Sequence, residues 1–293
     1  MVQIWGMVAT PFTSDGLEVD LGALDRLTRY LVAEGCTMLG LFGAIAEAET
    51  LTPGERRGIL ATVRQAAPRT PLAIAVPPGS LPSRTGRDFE ADDLPDGSVV
   101  VLPSAHTDAA GLIDDAERWR AETGLDVALE DRPGPGCHIL PIADLVSAVR
   151  NGDIAFVKEE APPSVDRIRA LRTSTTSIVL AGNGGAAALD ELLAGAHGLI
   201  AGISQTGEIV AMARAWERGD PTGAALIHAR IAALIAFETH SPRSVGIRKE
   251  AWRRGGILRS NAVRRATAGW VPSLEPHLAM HERLRRTALG PER

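Results

Sequence analysis

The sequence has very little tyrosine, cysteine and lysine, and each shortage limits the chemistry available to the protein. Its one tyrosine, Tyr30, lies in the first predicted helix, so no phenol is available at the end of a later strand. The two cysteines, Cys36 and Cys137, are interpreted as reduced thiols of a cytoplasmic protein, with a single disulfide as the alternative.

Long hydrophobic runs and an excess of positive charge are also absent. The longest apolar runs are short, as at 231–237, and none approaches the ~20 residues that span a bilayer. We therefore expect no membrane partner. The formal net charge is -5, which disfavours nucleic acid as a partner even though arginines cluster at 248–265. The apolar segment 1–10 lacks a basic start and is interpreted as a first strand, not a signal peptide.

The basic residues that are present include almost no lysine. Lysine and arginine together number 31, and only Lys158 and Lys249 are lysines. A coding bias towards arginine is the simplest cause. Because arginine keeps its proton in proteins and cannot act as a nucleophile, the retained lysines raise the question of whether an amine is required.

Short apolar strands alternate with amphipathic helices along most of the chain. This alternation is typical of a parallel sheet covered by helices on both faces. Eight such units predict a (β/α)8 TIM barrel, with a doubly wound open sheet as the alternative. The predicted strands are 4–10, 37–42, 72–76, 99–102, 126–129, 154–157, 178–181 and 199–203.

Two parts of the chain are less regular. A third helix is expected within 77–97, but proline, glycine and charge there favour a loop or a shortened helix. Beyond the eighth unit, helices are predicted at 221–239, 244–255 and 273–288. We accordingly expect a barrel over 1–220 and a C-terminal helical appendix over 221–293, without a second independent domain.

Several motifs follow one another in a recognisable order and spacing. They are MVATPF at 7–12, GAIAE at 43–47, FVKEE at 156–160, GNGG at 182–185, GAHG at 195–198 and GIRKE at 246–250. Together they resemble the dihydrodipicolinate synthase / N-acetylneuraminate lyase superfamily over most of the chain. The resemblance implies a class I aldolase or lyase, in which a lysine at the end of the sixth strand forms an imine with pyruvate or another 2-oxo acid.

Lys158 is the lysine that the resemblance points to. It ends an apolar strand, and a TIM barrel places its chemistry at the C-terminal ends of the strands. We expect apolar walls to lower its pKa, so that part of the amine is neutral near pH 7. An ion pair with Glu159 or Glu160 is the structural alternative. Lys249 lies in an arginine-rich helix and is predicted to occupy a solvated face.

The loop at 43–47 corresponds to the family's Gly-Thr-Thr-Gly-Glu loop, whose backbone amides hold the substrate carboxylate. Here Ala44 and Ile45 replace both threonines, which leaves amide donors but no hydroxyl relay. We expect Gly43, Ala44 and Ile45 to contribute to substrate binding, with an ordinary turn as the alternative. Glu47 is predicted to brace the loop and not to react.

The largest departure from the family lies at the fifth strand. Glu130 occupies the position of the family's catalytic tyrosine, and Pro135 that of the arginine which holds the second substrate in dihydrodipicolinate synthase. Glu130 is predicted to be a general acid/base if burial raises its pKa. The alternative is a structural pair with Arg132. The missing arginine argues against a role in lysine biosynthesis.

Further substrate contacts are expected after the seventh and eighth strands. Gly182 allows close approach of backbone to a ligand, and Ile203 and Ser204 are predicted to line the pocket. The histidines are scattered without the spacing of a metal site, so we expect no metal and no cofactor.

The combined prediction is a Schiff-base carbon–carbon lyase, aldolase or dehydratase acting on a small-molecule 2-oxo acid. The resemblance implies a homo-oligomer, either a dimer or a tetramer. The alternative is a catalytically altered or inactive barrel used for binding or regulation. A metal-dependent barrel enzyme is disfavoured by the scattered ligands.

Overall fold

Eight parallel strands form a closed barrel in chain order in this computed structural model, which confirms the predicted (β/α)8 TIM barrel. The structure describes residues 2–82, 89, 91–240 and 242–287. The strands are β1 (Gln3–Met7), β2 (Met38–Leu41), β3 (Leu72–Ala75), β4 (Val99–Pro103), β5 (Asp126–Asp131), β6 (Phe156–Glu159), β7 (Ile178–Ala181) and β8 (Gly198–Ala201).

Helices follow the strands and cover the outside of the barrel. As predicted, Thr52 is the N-cap of the second helix and Pro53 is its first residue. A capping box joins Thr52 to Glu55. The helices are α1 (Leu21–Glu34), α2 (Pro53–Ala66), α3 (Ala109–Thr123), α4 (Ile142–Asn151), α5 (Ser164–Ser174), α6 (Ala188–Leu193), α7 (Thr206–Glu217), α8 (Pro221–His240), α9 (Ser244–Arg254) and α10 (Glu275–Thr287).

The connection between β3 and β4 is the segment for which the sequence predicts a loop or a shortened third helix. Among the described residues between β3 and β4, Pro82 is helical and Ala91–Asp93 form a short 3-10 turn. Part of the expected third helix falls on residues 83–88 and 90, which lie outside the described residues. Whether this connection holds a loop or a shortened helix stays a prediction.

The interior of the barrel is filled by apolar side chains below the functional end. Trp5 packs against Phe156 with ring centroids 5.3 Å apart. Such layers make a TIM barrel a packed core with its chemistry confined to the rim. The buried members of this inner cluster are Trp5, Met38, Ala73, Val99, Val101, Ala128, Leu180 and Ile200.

Among the residues that the structure describes, three helices follow the barrel, close to the predicted ranges. Helix α8 packs against α7, α9 and α10. Among the described residues, the segment Pro221–Thr239 is the one that is long and apolar enough to cross a membrane, with a mean hydropathy of 1.2. The uninterrupted apolar run in this helix is still short, at 231–237, and the segment reaches its mean hydropathy because alanine and isoleucine dominate α8. A packed helix of a soluble protein meets the same criteria, so the finding is weak evidence for a membrane.

Candidate active site

A cavity of about 830 Å³ opens at the C-terminal ends of the strands. Its walls combine the ends of the barrel strands with residues of α9 and of the segment that follows α9. Four of the residues predicted to form the site, Lys158, Glu130, Ala44 and Ile45, line this one cavity. The closed barrel brings them together because all parallel strands end at the same rim.

Lys158 and Glu130 face each other across neighbouring strands. They are partners in the register of β5 and β6, so their side chains project from the same face of the sheet. Nζ of Lys158 donates a hydrogen bond to Oε1 of Glu130 at 2.5 Å. Glu160 approaches the same nitrogen, with Oε1 at 3.1 Å from Nζ. The amine is thus held between two carboxylates inside the cavity.

These carboxylates reverse the predicted titration of the lysine. Burial by itself lowers the pKa of Lys158, but the charges and hydrogen bonds of Glu130 and Glu160 outweigh burial and raise this pKa above its ordinary value. The prediction of a lowered pKa was therefore wrong. The sequence suggested apolar walls, whereas the nearest groups are anions. In the free protein Lys158 is an ammonium ion near pH 7.

Glu130 is also ionised in the free protein. Burial raises its pKa, but the charges of Lys158 and Arg132 lower the pKa of Glu130 to about 2. Nε of Arg132 donates to Oε2 of Glu130 at 2.7 Å. The expectation that burial raises this pKa was wrong, because two cations face the carboxylate. In the resting site Glu130 can accept a proton but cannot donate one.

The carboxylates next to the site face the other side of the sheet. Asp131 and Glu159 alternate with Glu130 and Lys158 along their strands, and both lie close to Arg167 outside the barrel interior. Burial, reinforced by the charge of Asp131, raises the pKa of Glu159 to about 9. This cluster anchors β5 and β6 to α5 and so supports the strands that carry the reactive pair.

A buried ion pair joins the loop after β2 to helix α9. Lys249 is fully buried, and its Nζ donates to Oε1 of Glu47 at 2.8 Å and to the carbonyl oxygen of Ala262 at 2.9 Å. The prediction that Lys249 occupies a solvated face was wrong, because α9 packs on the barrel instead of standing in water.

Glu47 braces its loop, as predicted. It adopts a left-handed conformation with φ 52°, and its Oε2 accepts hydrogen bonds from the backbone amides of Arg264 and Arg265, each at 2.9 Å. Its side chain thereby ties the loop to the segment after α9. Glu47 is not among the described residues that line the cavity.

The amides predicted to bind carboxylate begin a short 3-10 turn, Ala44–Ala46. The carbonyl oxygen of Ala46 accepts a bond from Oγ1 of Thr10 at 2.7 Å, and that of Ala44 accepts one from Nη2 of Arg265 at 3.1 Å. Met7 packs closely against Gly43. A Cβ added to Gly43 would lie 2.9 Å from Cε of Met7. The first amides of such a turn have no partner within it.

The remaining predicted contacts lie just outside the cavity wall. An added Cβ on Gly182 would lie 2.1 Å from Cγ of Glu160, so this glycine makes room for that carboxylate. Ile203 is buried, and the amide of Ser204 donates to Oε2 of Glu238 at 2.9 Å. The wall near β8 is instead formed by Ile200 and Gly202.

Five charged residues that the sequence analysis did not assign to the cavity also line it, namely Glu49, Arg132, Glu160, Arg248 and Arg265. Of these, Arg132 and Glu160 were named only as alternative ion-pair partners of Glu130 and Lys158, and the structure shows both pairs. The position of Glu160 was available from the sequence, because it is two residues from Lys158 and alternate strand residues share a face. No sequence signal distinguished Arg248 or Arg265 from the neighbouring arginines. Within the described residues, no group of three or more His, Cys, Asp or Glu side chains is arranged to hold a metal ion.

Comparison with known proteins identifies relatives over nearly the whole chain. The model of the Dihydrodipicolinate synthetase family matches residues 1–270. Among curated proteins, 4-hydroxy-tetrahydrodipicolinate synthase of Moorella thermoacetica is 27% identical over 264 residues, which is 86% of this chain and 89% of that protein.

Solved structures with a similar fold carry related names. Dihydrodipicolinate synthase from Rhodopseudomonas palustris superimposes with a TM-score of 0.86 and 20% identity, and covers 97% of each chain. The 4-hydroxy-tetrahydrodipicolinate synthase of Methylacidiphilum fumariolicum gives a TM-score of 0.84 at 21% identity over 99% of this chain and 97% of that one. At these identities the likeness establishes the fold.

Proposed function

The chain belongs to the dihydrodipicolinate synthetase family of class I aldolases and lyases, and we propose that Lys158 forms an imine with pyruvate or another 2-oxo acid. The observation that carries this proposal is the position of Nζ inside the cavity, 2.5 Å from Oε1 of Glu130. An imine withdraws electrons from the adjacent carbon, so a carbon–carbon bond to that carbon can form or break.

Proton transfer is the first requirement of this chemistry. The ammonium of Lys158 must lose a proton before its nitrogen attacks the carbonyl carbon, and Glu130 is the nearest acceptor. The neutral nitrogen then attacks the carbonyl carbon, and the hydroxyl of the adduct leaves as water with the proton that Glu130 returns, which gives a positively charged iminium and an ionised Glu130. Removal of a proton from the carbon next to the former carbonyl gives a neutral enamine, the carbon nucleophile for addition or the product of cleavage.

Glu130 is the proposed proton carrier for the enamine step. Its pKa of about 2 depends in part on the positive charge of Lys158. That charge disappears when the iminium becomes an enamine, so the pKa of Glu130 must rise at the moment when it receives the proton. A carboxylate is thereby able to replace the family's tyrosine at this position.

The substrate carboxylate is proposed to bind at the turn that contains Gly43, Ala44 and Ile45. Ala44 and Ile45 line the cavity together with Lys158, and Arg265 borders the same turn through its bond to the carbonyl oxygen of Ala44. Backbone amides and a guanidinium both favour an anion. Gly182, Ile203 and Ser204 lie behind the residues that line the cavity, and they would affect substrate binding through the shape of the cavity wall.

We propose that the reaction differs from that of 4-hydroxy-tetrahydrodipicolinate synthase, the name that the curated relatives carry. Glu130 stands where the family has its tyrosine, and Pro135, which lines the cavity, stands where dihydrodipicolinate synthase has its substrate-binding arginine. Both changes alter the groups nearest to the second substrate. The electrophile, and with it the product, should therefore differ.

Reductive trapping tests the proposed imine. The protein is incubated with pyruvate and borohydride, and the intact mass is measured. Because the chain has only two lysines, peptide mapping assigns an adduct to Lys158 or Lys249 directly. Lys158→Arg is the matched variant, since it keeps the positive charge but cannot form an imine. An adduct on the wild-type protein that is missing from Lys158→Arg supports the proposal; equal labelling of both proteins contradicts it.

A binding or regulatory barrel is the second candidate function. The observation that favours it is the double ion pair, which keeps Lys158 charged and engaged in the free protein. The same experiment separates the two candidates. If a panel of 2-oxo acids raises the melting temperature but leaves no adduct, the binding function is favoured.

We further propose that the protein works in the cytoplasm as a homo-oligomer, either a dimer or a tetramer. Both cysteines are free, and α8 exposes a large apolar side chain, Leu226, at 64% of its surface. One relative of similar fold is described as a monomeric dihydrodipicolinate synthase variant, so assembly varies among such proteins. Sedimentation velocity at micromolar concentration tests the assembly.

A further inference from the structure

Two cations of different kinds hold the carboxylate of Glu130. Nζ of Lys158 donates to Oε1 at 2.5 Å, and Nε of Arg132 donates to Oε2 at 2.7 Å. Among the described residues, these are the two side chains that donate hydrogen bonds to Glu130. Each carboxylate oxygen thus has its own cation. Because Glu130 is buried, water screens neither contact strongly.

The two cations differ in whether they can lose their charge. The nitrogen of a lysine becomes neutral when it gives up its proton or forms an enamine, whereas the guanidinium of an arginine keeps its proton in proteins. During the proposed reaction the positive charge of Lys158 therefore disappears and returns, and the charge of Arg132 persists. The steps proposed for Lys158 and Glu130 do not yet use this permanent charge.

The chain after β5 is shaped to keep Arg132 against Glu130. Arg132 directly follows the strand, and alternate residues of an extended chain project to the same side, which is the side of Glu130. Gly134 leaves space for the guanidinium, since an added Cβ would lie 2.4 Å from Nη1 of Arg132. The amide of Cys137 donates to the carbonyl oxygen of Gly134 at 3.0 Å, which closes a tight turn beyond the arginine. A side chain at position 134 would push the guanidinium aside.

The other charged side chains of the cavity have no hydrogen bond to Glu130 within the described residues. Glu160 approaches Nζ of Lys158, with Oε1 at 3.1 Å, so its charge acts on the lysine. The further charged residues of the wall are Glu49, Arg248 and Arg265. Burial raises the pKa of Glu130, and the charges of Lys158 and Arg132 lower it to about 2. These two cations are therefore the main groups that keep the carboxylate ionised.

Glu130 must accept and release a proton twice in the proposed reaction. It first accepts a proton from the ammonium of Lys158 and returns it to the departing hydroxyl. It then accepts a proton from the carbon next to the imine and returns it to that carbon, or to the oxygen anion that forms when the enamine adds to a carbonyl. While Glu130 holds the second proton, the nitrogen of Lys158 is neutral, and burial favours the protonated acid. A carboxyl that kept this proton would stop the reaction.

We propose that Arg132 is a positioning residue that keeps Glu130 a reversible proton carrier while Lys158 is uncharged. This inference rests on the proposed function, because it concerns proton transfer at the same site. The permanent charge of Arg132 stabilises the carboxylate at its second oxygen whatever the state of the nitrogen. Glu130 consequently releases each proton that it accepts. Arg132 acts through Glu130 and needs no contact with the substrate.

Titration of Glu130 in a protein without the lysine charge tests this role without any substrate. Lys158→Met reproduces the uncharged nitrogen and leaves Arg132 as the cation on Glu130. NMR of glutamate labelled with 13C at the side-chain carboxyl reports ionisation, and Glu130→Gln in the same background identifies the signal. We expect Arg132→Gln, added to Lys158→Met, to raise the pKa of Glu130 by about 1–3 pH units, the usual effect of one adjacent opposite charge.

Two further variants control this titration. Arg132→Lys keeps a positive charge and should retain most of the lowering of the Glu130 pKa. Arg169→Gln removes an exposed arginine that pairs with Asp166 and should leave that pKa unchanged. If Arg132→Gln does not fold, Arg132→Met, which keeps an unbranched apolar stem, replaces it.

Exchange of the pyruvate methyl hydrogens with deuterated water, followed by NMR, shows whether the charge matters in the reaction. With Lys158 present, we expect Arg132→Gln to slow exchange about 10-fold or more at pH 7, because a carboxyl that holds its proton more tightly returns it more slowly. Arg132→Lys should recover part of the rate. Trapping with pyruvate and borohydride should still give an adduct in both variants, since the amine remains.

The outcomes for Arg132 and for the imine are separate. A Glu130 pKa that Arg132→Gln does not raise overturns the role of Arg132, and so does a raised pKa without slower exchange in a protein that forms the adduct. A wild-type protein that leaves no adduct and exchanges no methyl hydrogen contradicts the imine itself, and with it the reaction in which Arg132 would act.

Discussion

Nζ of Lys158 lies 2.5 Å from Oε1 of Glu130, on the adjacent strand of the barrel. This contact decides the protonation of both groups. It keeps the amine charged and the carboxylate ionised, although each is buried. The resting site is therefore an ion pair that must exchange its proton before imine chemistry begins.

The pH dependence of imine formation should show whether the ammonium of Lys158 gives its proton to solvent or to Glu130. Because the pKa of Lys158 is raised, the neutral amine is a small fraction near pH 7 and increases about tenfold with each pH unit below that pKa. If solvent takes the proton, the initial rate of borohydride trapping with pyruvate should rise about tenfold per pH unit between pH 6 and 9. If Glu130 takes it, the rate should change little, because transfer within the pair leaves the number of bound protons unchanged. We expect the second result. A steep rise over this range would contradict Glu130 as the first proton acceptor.

Glu130→Gln should have opposite effects on two steps. It removes the strongest attraction on the ammonium of Lys158, so trapping at pH 7 should become faster. It also removes the proposed proton carrier, so exchange of the pyruvate methyl hydrogens with deuterated water, followed by NMR, should slow about 100-fold. Glu160→Gln is the matched variant and should speed trapping without slowing exchange. Equal loss of exchange in both variants would contradict the role of Glu130.

Lys249→Met should destabilise the protein by about 3–5 kcal/mol, because it leaves the buried carboxylate of Glu47 without its cation. The added change Glu47→Gln should recover part of this free energy of unfolding, since it removes the unpaired charge. Urea unfolding of the two single variants and the double variant gives the coupling energy. Additive losses would mean that the two side chains do not stabilise each other.

Glu159→Gln should stabilise the protein relative to wild type as pH rises. The pKa of Glu159 is raised to about 9 in the folded state, from 4.5, so the folded wild-type protein binds more protons than the unfolded chain between these values. Its stability therefore falls with pH in this window, by at most about 1.4 kcal/mol per unit. Glutamine does not titrate. Urea unfolding at pH 5.5 and 8.5 measures the difference, with the exposed Glu117→Gln as the control variant; a constant difference for Glu159→Gln contradicts the raised pKa.

Local sequence patterns predicted the regular elements well. The predicted strand at 178–181 has the same bounds as β7, and the second helix starts at Thr52 and Pro53 as predicted. The first strand was predicted at 4–10 but ends at Met7, because apolar residues continue into the loop at the rim. Apolar character marks burial and does not show where the hydrogen-bonded ladder stops. The division of the chain at residue 220 stays a prediction.

The sequence by itself determined the alternation of strands and helices, the closed barrel that this alternation favours, and the rim position of Lys158 and Glu130. These follow from local periodicity and from the rule that parallel strands end together. Only the tertiary structure decided the charge state of Lys158, the burial of Lys249 and the arrival of Arg248 at the cavity. Each depends on contacts between distant segments, such as the 202 positions that separate Lys249 from Glu47. Electrostatic attraction and desolvation act through space, and sequence spacing does not encode the distances that set them.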